Sequence, residues 1–395
     1  MQKISVPEAL QILRNSISNL ETEKVSLDSA LGRVLKEPLL ADQDYPPFDR
    51  VMMDGIAVKF SDNVSSWKIT GTQFAGDSQQ SVGSENDCIK VMTGSPLPSG
   101  TDTVIPKEDL NRSPDGFQLL DSAEVEFKQF VHPRASDAKA GSAIFEKNQP
   151  IDAKLAAACA SVGANQLTVT RFPKIAFIAT GKELVKSNEA PADAQIRSSN
   201  DQAIEGMLHS LYLNLDQNLS VGDDADKFTE IIERMIETHD LIITSGGVSM
   251  GDADFVPDRA KKVGFETLFH GVKQKPGGPL FASKHTNGTI LIGLPGNPMS
   301  CLVCGRIYVK TAIECLLHSE TEKRMKLPFD KESSRSISLK HKAHFIPVKL
   351  TEHSTLLPIS INTSGDWISV LRSDGLALVD AGCEISDSNF PFFPW

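Results

Sequence analysis

The stretch DLIITSGGVSMGDADF (240–255), read with TILIGLPGNPMS (289–300), decides the architecture of this 395-residue chain. Each begins as an apolar, β-branched run and breaks at its C-terminal end into Gly, Ser, Pro and Asn. An open parallel sheet places its ligand crevice at such carboxyl ends, so two of them within one α/β unit predict a binding site. Gly246 and Gly247 lack Cβ atoms, which lets backbone N–H groups approach an anion, and Ser245 and Ser249 add hydroxyl donors. Phosphate suits that combination. Asp252 and Asp254 follow directly, and carboxylates beside a phosphate repel it unless a hard cation such as Mg²⁺ lies between them. An ordinary strand-to-helix turn with a solvated Asp pair would share this first motif. The second turn argues for a site: Pro295, Gly296 and Pro298 stiffen it, while Asn297 can bond backbone or ligand.

On both sides of this stretch strand and helix patterns alternate. KIAFIAT (174–180) reads as a strand, SSNDQAIEGMLHSLYL (198–213) and DKFTEIIERMIETH (226–239) as helices. That alternation predicts a central, doubly wound α/β domain over 171–319. YPPFDRVMMDGIAV (45–58) opens with a double proline and ends in a strand, and short alternating runs broken by Gly, Asn and Pro follow. Residues 46–138 therefore read as a β-rich module. Residues 5–19 and 154–164 read as helices. The charged stretch ETEKRMKLPFDKESSR (320–335) reads as a linker, and the tail to Trp395 as short strands, so that 320–395 forms a C-terminal β domain.

A formal charge of −11 excludes a nucleic-acid partner, because backbone-phosphate binding needs a basic face. No run approaches the ~18 apolar residues of a membrane span, and residues 1–11 lack the pattern of a secretory leader, which predicts a cytoplasmic protein without a membrane partner. An anionic small molecule must then be held by local donors and metal. Cys301 and Cys304 form a lone CxxC inside the apolar run SCLVCGRIYVKTAIECLL (300–317), where Cys behaves as a small core hydrophobe. His341 and His344 read as an incidental surface pair.

Further candidates lie on turns and strand ends. Asp54 precedes Gly55 at a strand start, Thr93 sits on a Gly-Ser-Pro turn, and Asp137 lies in RASDAKAG (134–141); each is an ordinary turn residue unless it faces a ligand. Glu183 follows the first strand of the α/β domain, and Asp223 and Asp224 follow the second. Glu183, Asp223 and Asp254 would then converge on one rim. Three carboxylates within a few ångströms cost several kcal/mol unless a cation or protonation relieves them.

These segments together resemble the molybdopterin molybdenumtransferase (MoeA) family and the C-terminal domain of gephyrin. PPFDRVMMDGIAV resembles the family's PPFDxSxMDGYAV, VMTGSPLPSGTDTVIPKED its MTGAPLPxGADxVV, TGKEL its TGDEL, SGGVSMGDADF its SGGVSxGxxD, KPGGP its KPGKP and LPGNPMS its LPGNPVS. The resemblance covers nearly the whole chain. It implies an enzyme that takes adenylylated molybdopterin and molybdate and, with Mg²⁺, releases AMP and yields molybdenum cofactor. It places Asp54, Thr93, Asp137, Glu183, Asp223, Asp254, Lys275 and the Pro295–Pro298 loop in the active cleft. It also implies a homodimer whose cleft is shared between the α/β domain of one subunit and the β module of the other, a mixed, discontinuous dimerisation domain from 1–45 and 139–170, and a molybdopterin adenylyltransferase as a further partner. The chain departs from the pattern at Gly278, the family's second KPGKP lysine; at Lys182, its TGDEL aspartate; at Val51, its PPFDxS serine; and at Ala135-Ser136, its Gly-Glu before the third aspartate. Lys182 or Lys273 would supply the charge lost at Gly278. Two other readings stand beside the transferase: a cofactor binder or scaffold without turnover, which those departures favour, and a molybdopterin adenylyltransferase, which shares the α/β domain but is usually that domain alone.

Overall fold

The structure is a computed structural model that describes residues 2–249, 254–319, 325–330, 341–361, 363, 365–383 and 388–395. Asp252 lies outside the described residues. The chain forms two compact units, one of residues 1–36, 148–153 and 166–395, the other of 37–147 and 154–165.

The first unit is built on a six-stranded sheet. Its elements in chain order are β1 (Ile175–Thr180), α1 (Asn200–His209), β2 (Gln217–Val221), α2 (Ala225–Ile236), β3 (Leu241–Ser245), α3 (Val256–Lys262), β4 (Phe265–His270), β5 (Phe281–His285), β6 (Ile290–Leu294) and α4 (Pro298–Cys304). The strand order is β2-β1-β3-β6-β5-β4. The first four strands are parallel, as the alternation predicts. The sheet as a whole is mixed, because β5 and β4 run antiparallel at one edge. The pairing Ser245↔Leu294 sets the ends of β3 and β6 side by side.

These strands read as unbroken apolar runs because both faces are covered. Ile175, Phe177 and Ala179 of β1 point into a core with Ile204 and Leu208 of α1 and Met299 and Val303 of α4, and Ala176 and Ile178 point into the opposite core with α2 and α3. In α2 the buried side chains are Phe228, Ile231, Ile232, Met235 and Ile236, a stripe at helical spacing. Fully burying one such side chain stabilises the fold by about 1.5–3 kcal/mol. Asp224 starts this helix as its N-cap, accepting from the N–H groups of Asp226 and Lys227 at 3.2 and 3.0 Å. The helix Val6–Ser16 carries the reciprocal Ser5–Glu8 cap and buries Val6, Ala9, Leu10 and Leu13. Cys301 and Cys304 are fully buried in the first core, and burial pushes the Cys301 thiol up to about 12 and that of Cys304 higher still. Both are core residues without thiolate character.

The KPGGP segment joins a different sheet from the one its sequence position suggests. Gln274–Lys275 pairs parallel with the start of the strand Ala343–Leu350, in a sheet completed by Gly375–Val379, Asn389–Pro394 and Lys326–Pro328. Gln274 is buried, takes the Tyr308 hydroxyl proton on Oε1 and donates from Nε2 to the Pro276 carbonyl at 2.9 Å. That clamp ties the segment to the helix following α4.

The second unit holds a six-stranded sheet in the order Thr103–Pro106, Gly55–Val58, Asp87–Val91, Ser66–Gln73, Gly116–Leu119, Leu110–Ser113. It is antiparallel except where Ser66–Gln73 meets Asp87–Val91. Ala57, Ile89 and Val104 pack on one face, Ile56, Val58, Cys88 and Ile105 on the other. Elsewhere Thr22–Ser26 pairs with Gln166–Thr170 in the first unit, and Leu39–Leu40 with Ala143–Phe145 in the second. No helix among the described residues is long and apolar enough to cross a membrane.

Candidate functional site

Because β2, β1, β3 and β6 are parallel neighbours, their carboxyl ends line one edge of the sheet. A cavity of about 470 Å³ opens there. Its lining includes Gly181 and Glu183 after β1, Asp223 after β2, Ser245, Gly246, Gly247 and Ser249 at β3, and Pro295, Gly296, Asn297 and Pro298 after β6. Asp254, on the approach to α3, completes it. Among the described residues, the candidates of this unit other than Lys275, Lys182, Lys273 and Asp224 thus border one space.

The geometry of the glycine turn explains its composition. Gly246 and Gly247 sit at φ +90° and +65°, where L side chains are disfavoured. A Cβ on Gly246 would lie 2.6 Å from Thr180 Oγ1 and 2.8 Å from the Thr180 carbonyl oxygen. The Gly246 N–H donates to the Leu294 carbonyl at 3.0 Å, tying this turn to the next. Ser245 is 3% exposed and its Oγ accepts from Asn200 Nδ2 at 2.6 Å, whereas Ser249 is exposed. Ser249 is therefore the hydroxyl turned to solvent at this wall.

Glu183 and Asp223 are exposed and Asp254 half-buried. Among the described residues no three His, Cys, Asp or Glu side chains are grouped closely enough to hold a metal ion, so the three carboxylates share the cavity without the tight convergence expected from the strand ends. The lining contains only oxygen donors of the metal-binding types, with no His or Cys, and that set matches a hard cation completed by ligand oxygens and water. Adjacent Asp223 and Asp224 part company here: Asp224 caps α2, and Asp223 borders the cavity.

Lys275, Lys182 and Lys273 are exposed and do not border the cavity. Lys275 pairs in register with His344, whose imidazole is half-buried; burial first, then Lys275 and Lys342, holds it below its ordinary basicity. A Cβ on Gly278 would come within 3.3 Å of the Gln274 carbonyl oxygen, so a side chain there needs only a small adjustment.

In the second unit Asp54 and Thr93 form one pair. Asp54 Oδ1 accepts from the Thr93 N–H and from Thr93 Oγ1, both at 2.8 Å. Those bonds, the backbone one foremost, with help from Lys107 and Lys90, hold the Asp54 carboxyl below its ordinary 3.8. Asp137 belongs to a relay, with His132 Nε2 at 2.8 Å from its Oδ1 and Arg50 Nη2 at 2.9 Å from His132 Nδ1. A guanidinium only donates, so Nδ1 is the acceptor and His132 donates from Nε2 to Asp137. Ala135, two residues before, is left-handed at φ +61°, where the family motif has glycine. Val51, in place of the motif's serine, is 1% exposed and packs in the core with Ala57 and Val91.

Sequence reasoning missed Thr180, Ser198, Ser199 and Asn200, which also line the cavity. Asn200 begins a helix, a position where Asn is unremarked, and its contacts lie 45 and 96 residues away.

Comparison with known proteins adds the remaining information. Residues 4–163 match the MoeA N-terminal region (domain I and II), and residues 176–314 match the probable molybdopterin binding domain. A molybdopterin molybdenumtransferase from Synechocystis is 33% identical over 99% of this chain and all of its own length. One from Staphylococcus epidermidis is 27% identical over 96% of this chain and 92% of its own. The crystal structure of a MoeA protein of molybdopterin biosynthesis from Pyrococcus horikoshii superimposes over 99% of this chain and all of that one with a TM-score of 0.82 at 24% identity, a likeness of fold. The full-length match, the two family regions and the cavity at the strand ends agree: the chain belongs to the molybdopterin molybdenumtransferase (MoeA) family, transferases of molybdenum cofactor biosynthesis.

Proposed function

We propose that this cytoplasmic transferase inserts molybdate into adenylylated molybdopterin, with Mg²⁺ and with release of AMP. The observation that carries this reading is the single cavity bordered by both glycine-containing turns and by Glu183, Asp223 and Asp254. In this reading the Gly247 N–H and the Ser249 hydroxyl hold phosphate oxygens, the Gly246 N–H keeps the turn tied to Leu294, and the stiff Pro295–Pro298 loop bounds the ligand. Mg²⁺ would be held chiefly by phosphate oxygens and water, with one or two carboxylates drawn from Glu183, Asp223 and Asp254, and its charge would offset that of the phosphates. Lys275 contributes long-range attraction for an anion, and in the homodimer that the resemblance implies the Asp54 and Asp137 carboxylates of one subunit's β module serve the cavity of the other, orienting the oxygen, of water or molybdate, that attacks the phosphoric anhydride as AMP departs. A molybdopterin adenylyltransferase would supply the substrate. The family resemblance also supports a homodimer; light scattering should give about twice the 42.9 kDa chain mass, and a monomer at micromolar concentration would count against it.

Incubating the protein with adenylylated molybdopterin, molybdate and Mg²⁺ should release AMP. One observation favours a binder without turnover: the family's second lysine is Gly278 here and Lys275 does not border the cavity. AMP binding without AMP release would establish that alternative. Calorimetry tests the metal assignment. AMP should bind wild type more tightly with Mg²⁺ than without it, and Asp254→Asn should reduce that difference. Equal Mg²⁺ dependence in both proteins would remove Asp254 from the site, and no dependence in either would leave the acidic trio as solvated charges.

A further inference from the structure

Asn200 touches both turns of the cavity with one nitrogen. Its Nδ2 donates to Ser245 Oγ at 2.6 Å and to the Gly296 carbonyl oxygen at 2.8 Å. Those acceptors stand at the ends of β3 and β6, neighbouring strands whose turns also touch directly, since a Cβ on Gly296 would lie 3.6 Å from Gly246 Cα. From these contacts, and resting on the ligand assignment proposed above, we propose that Asn200 is a positioning residue that sets the spacing of the two ligand-holding turns and the direction of the Ser245 hydroxyl.

The chemistry is specific to a primary amide. A single nitrogen must offer two hydrogens about 120° apart, which Asn does and Asp, Ser or Thr does not. Because Nδ2 only donates, Ser245 Oγ is an acceptor in this bond, and its own proton is directed elsewhere. Asn200 Oδ1, in contrast, is buried with no hydrogen-bond partner in the protein. A buried acceptor left unpaired is destabilising. The amide is therefore not explained by local stability, and its two donations across the cavity floor account for it. The frame around it is rigid: Ser198 Oγ donates to Asp201 Oδ1 at 2.7 Å at the start of α1, and Thr180 Oγ1 donates to the Ser245 carbonyl at 3.1 Å.

The test has one arm without ligand and one with AMP. In Asn200→Ala, amide hydrogen exchange in the segments 245–247 and 294–297 should rise about tenfold for each bond lost, while exchange in 175–179 stays unchanged. Unchanged exchange at the two turns would overturn the proposal, whatever the ligand. Affinity for AMP with Mg²⁺ should fall about tenfold or more in Asn200→Ala and in the isosteric Asn200→Asp, with Asn200→Ser, which keeps one donor, between them and wild type. In a Ser245→Ala background the Asn200→Ala effect on AMP affinity should shrink, since one of its acceptors is already gone. Full additivity would overturn the claim that Asn200 acts through Ser245. Loosened turns with unchanged AMP affinity would overturn the positioning role while leaving the functional reading intact; failure of wild type to bind AMP would sink that reading, and the exchange arm would still decide the frame. If Asn200→Ala does not fold, the same comparisons are made with Asn200→Ser.

Discussion

Asp54→Ala should lower AMP release by about 10²–10⁴-fold, the contribution usual for a positioned carboxylate acting on a reacting group. The side chain sits on a turn before the buried strand Gly55–Val58, and its partners are the N–H and hydroxyl of Thr93, an exposed residue. Truncation returns those donors to water, so the fold should persist and circular dichroism should show an unchanged spectrum. The pH dependence has a definite sign. The folded-state value of Asp54 lies below the ordinary 3.8, so its contribution to stability is complete above about 3.8 and is lost as pH falls through the lower folded value. Asp54 is therefore ionised across the neutral range, and the wild-type rate should show no acid limb above about pH 4 that the mutation removes. Initial rates and acid titrations of both proteins would check this. Wild-type turnover in the variant would leave Asp54 as a turn anchor for Thr93 only.

Gly246→Ala should destabilise the first unit by about 2–5 kcal/mol and abolish AMP binding. A left-handed backbone costs an L-residue about 1–2 kcal/mol, and overpacking a closed site costs about 1–3 kcal/mol more. The added Cβ would stand 2.6 Å from Thr180 Oγ1 and 2.8 Å from the Thr180 carbonyl oxygen, so either β1 or the turn must move. Gly288→Ala provides the comparison, because Gly288 is also left-handed, at φ +103°, but its Cβ would meet nothing within 4 Å. Urea denaturation should show the smaller, purely conformational cost there and the larger one at Gly246. Equal costs at the two positions would mean that the contact with Thr180 relaxes freely and that the turn is not held against β1.

The four parallel strands and the two turns were legible because their signals are local. LIITSGG and ILIGLPGNP each pair a continuous β-branched run with residues that terminate it, and neither pattern depends on distant partners. The antiparallel edge was not legible. FETLFH (265–270) and FASKH (281–285) become strands by pairing with each other and with β6, and their composition alone does not demand it.

What the sequence by itself determined is therefore the α/β unit, the carboxyl-end location of the cavity and the residue types around it, since each follows from periodicity, chain termination and the chemistry of Gly, Ser, Pro and Asp. The tertiary structure alone decided which of two adjacent aspartates caps α2 and which borders the cavity, because that depends on where the chain turns after β2. It also decided that Lys275 leaves the cavity edge to pair beside His344, 69 residues on, and that Asn200 bridges the turns after β3 and β6. Those assignments rest on hydrogen bonds between segments far apart in the chain, and no local pattern encodes a partner that only the folded backbone brings within 3 Å.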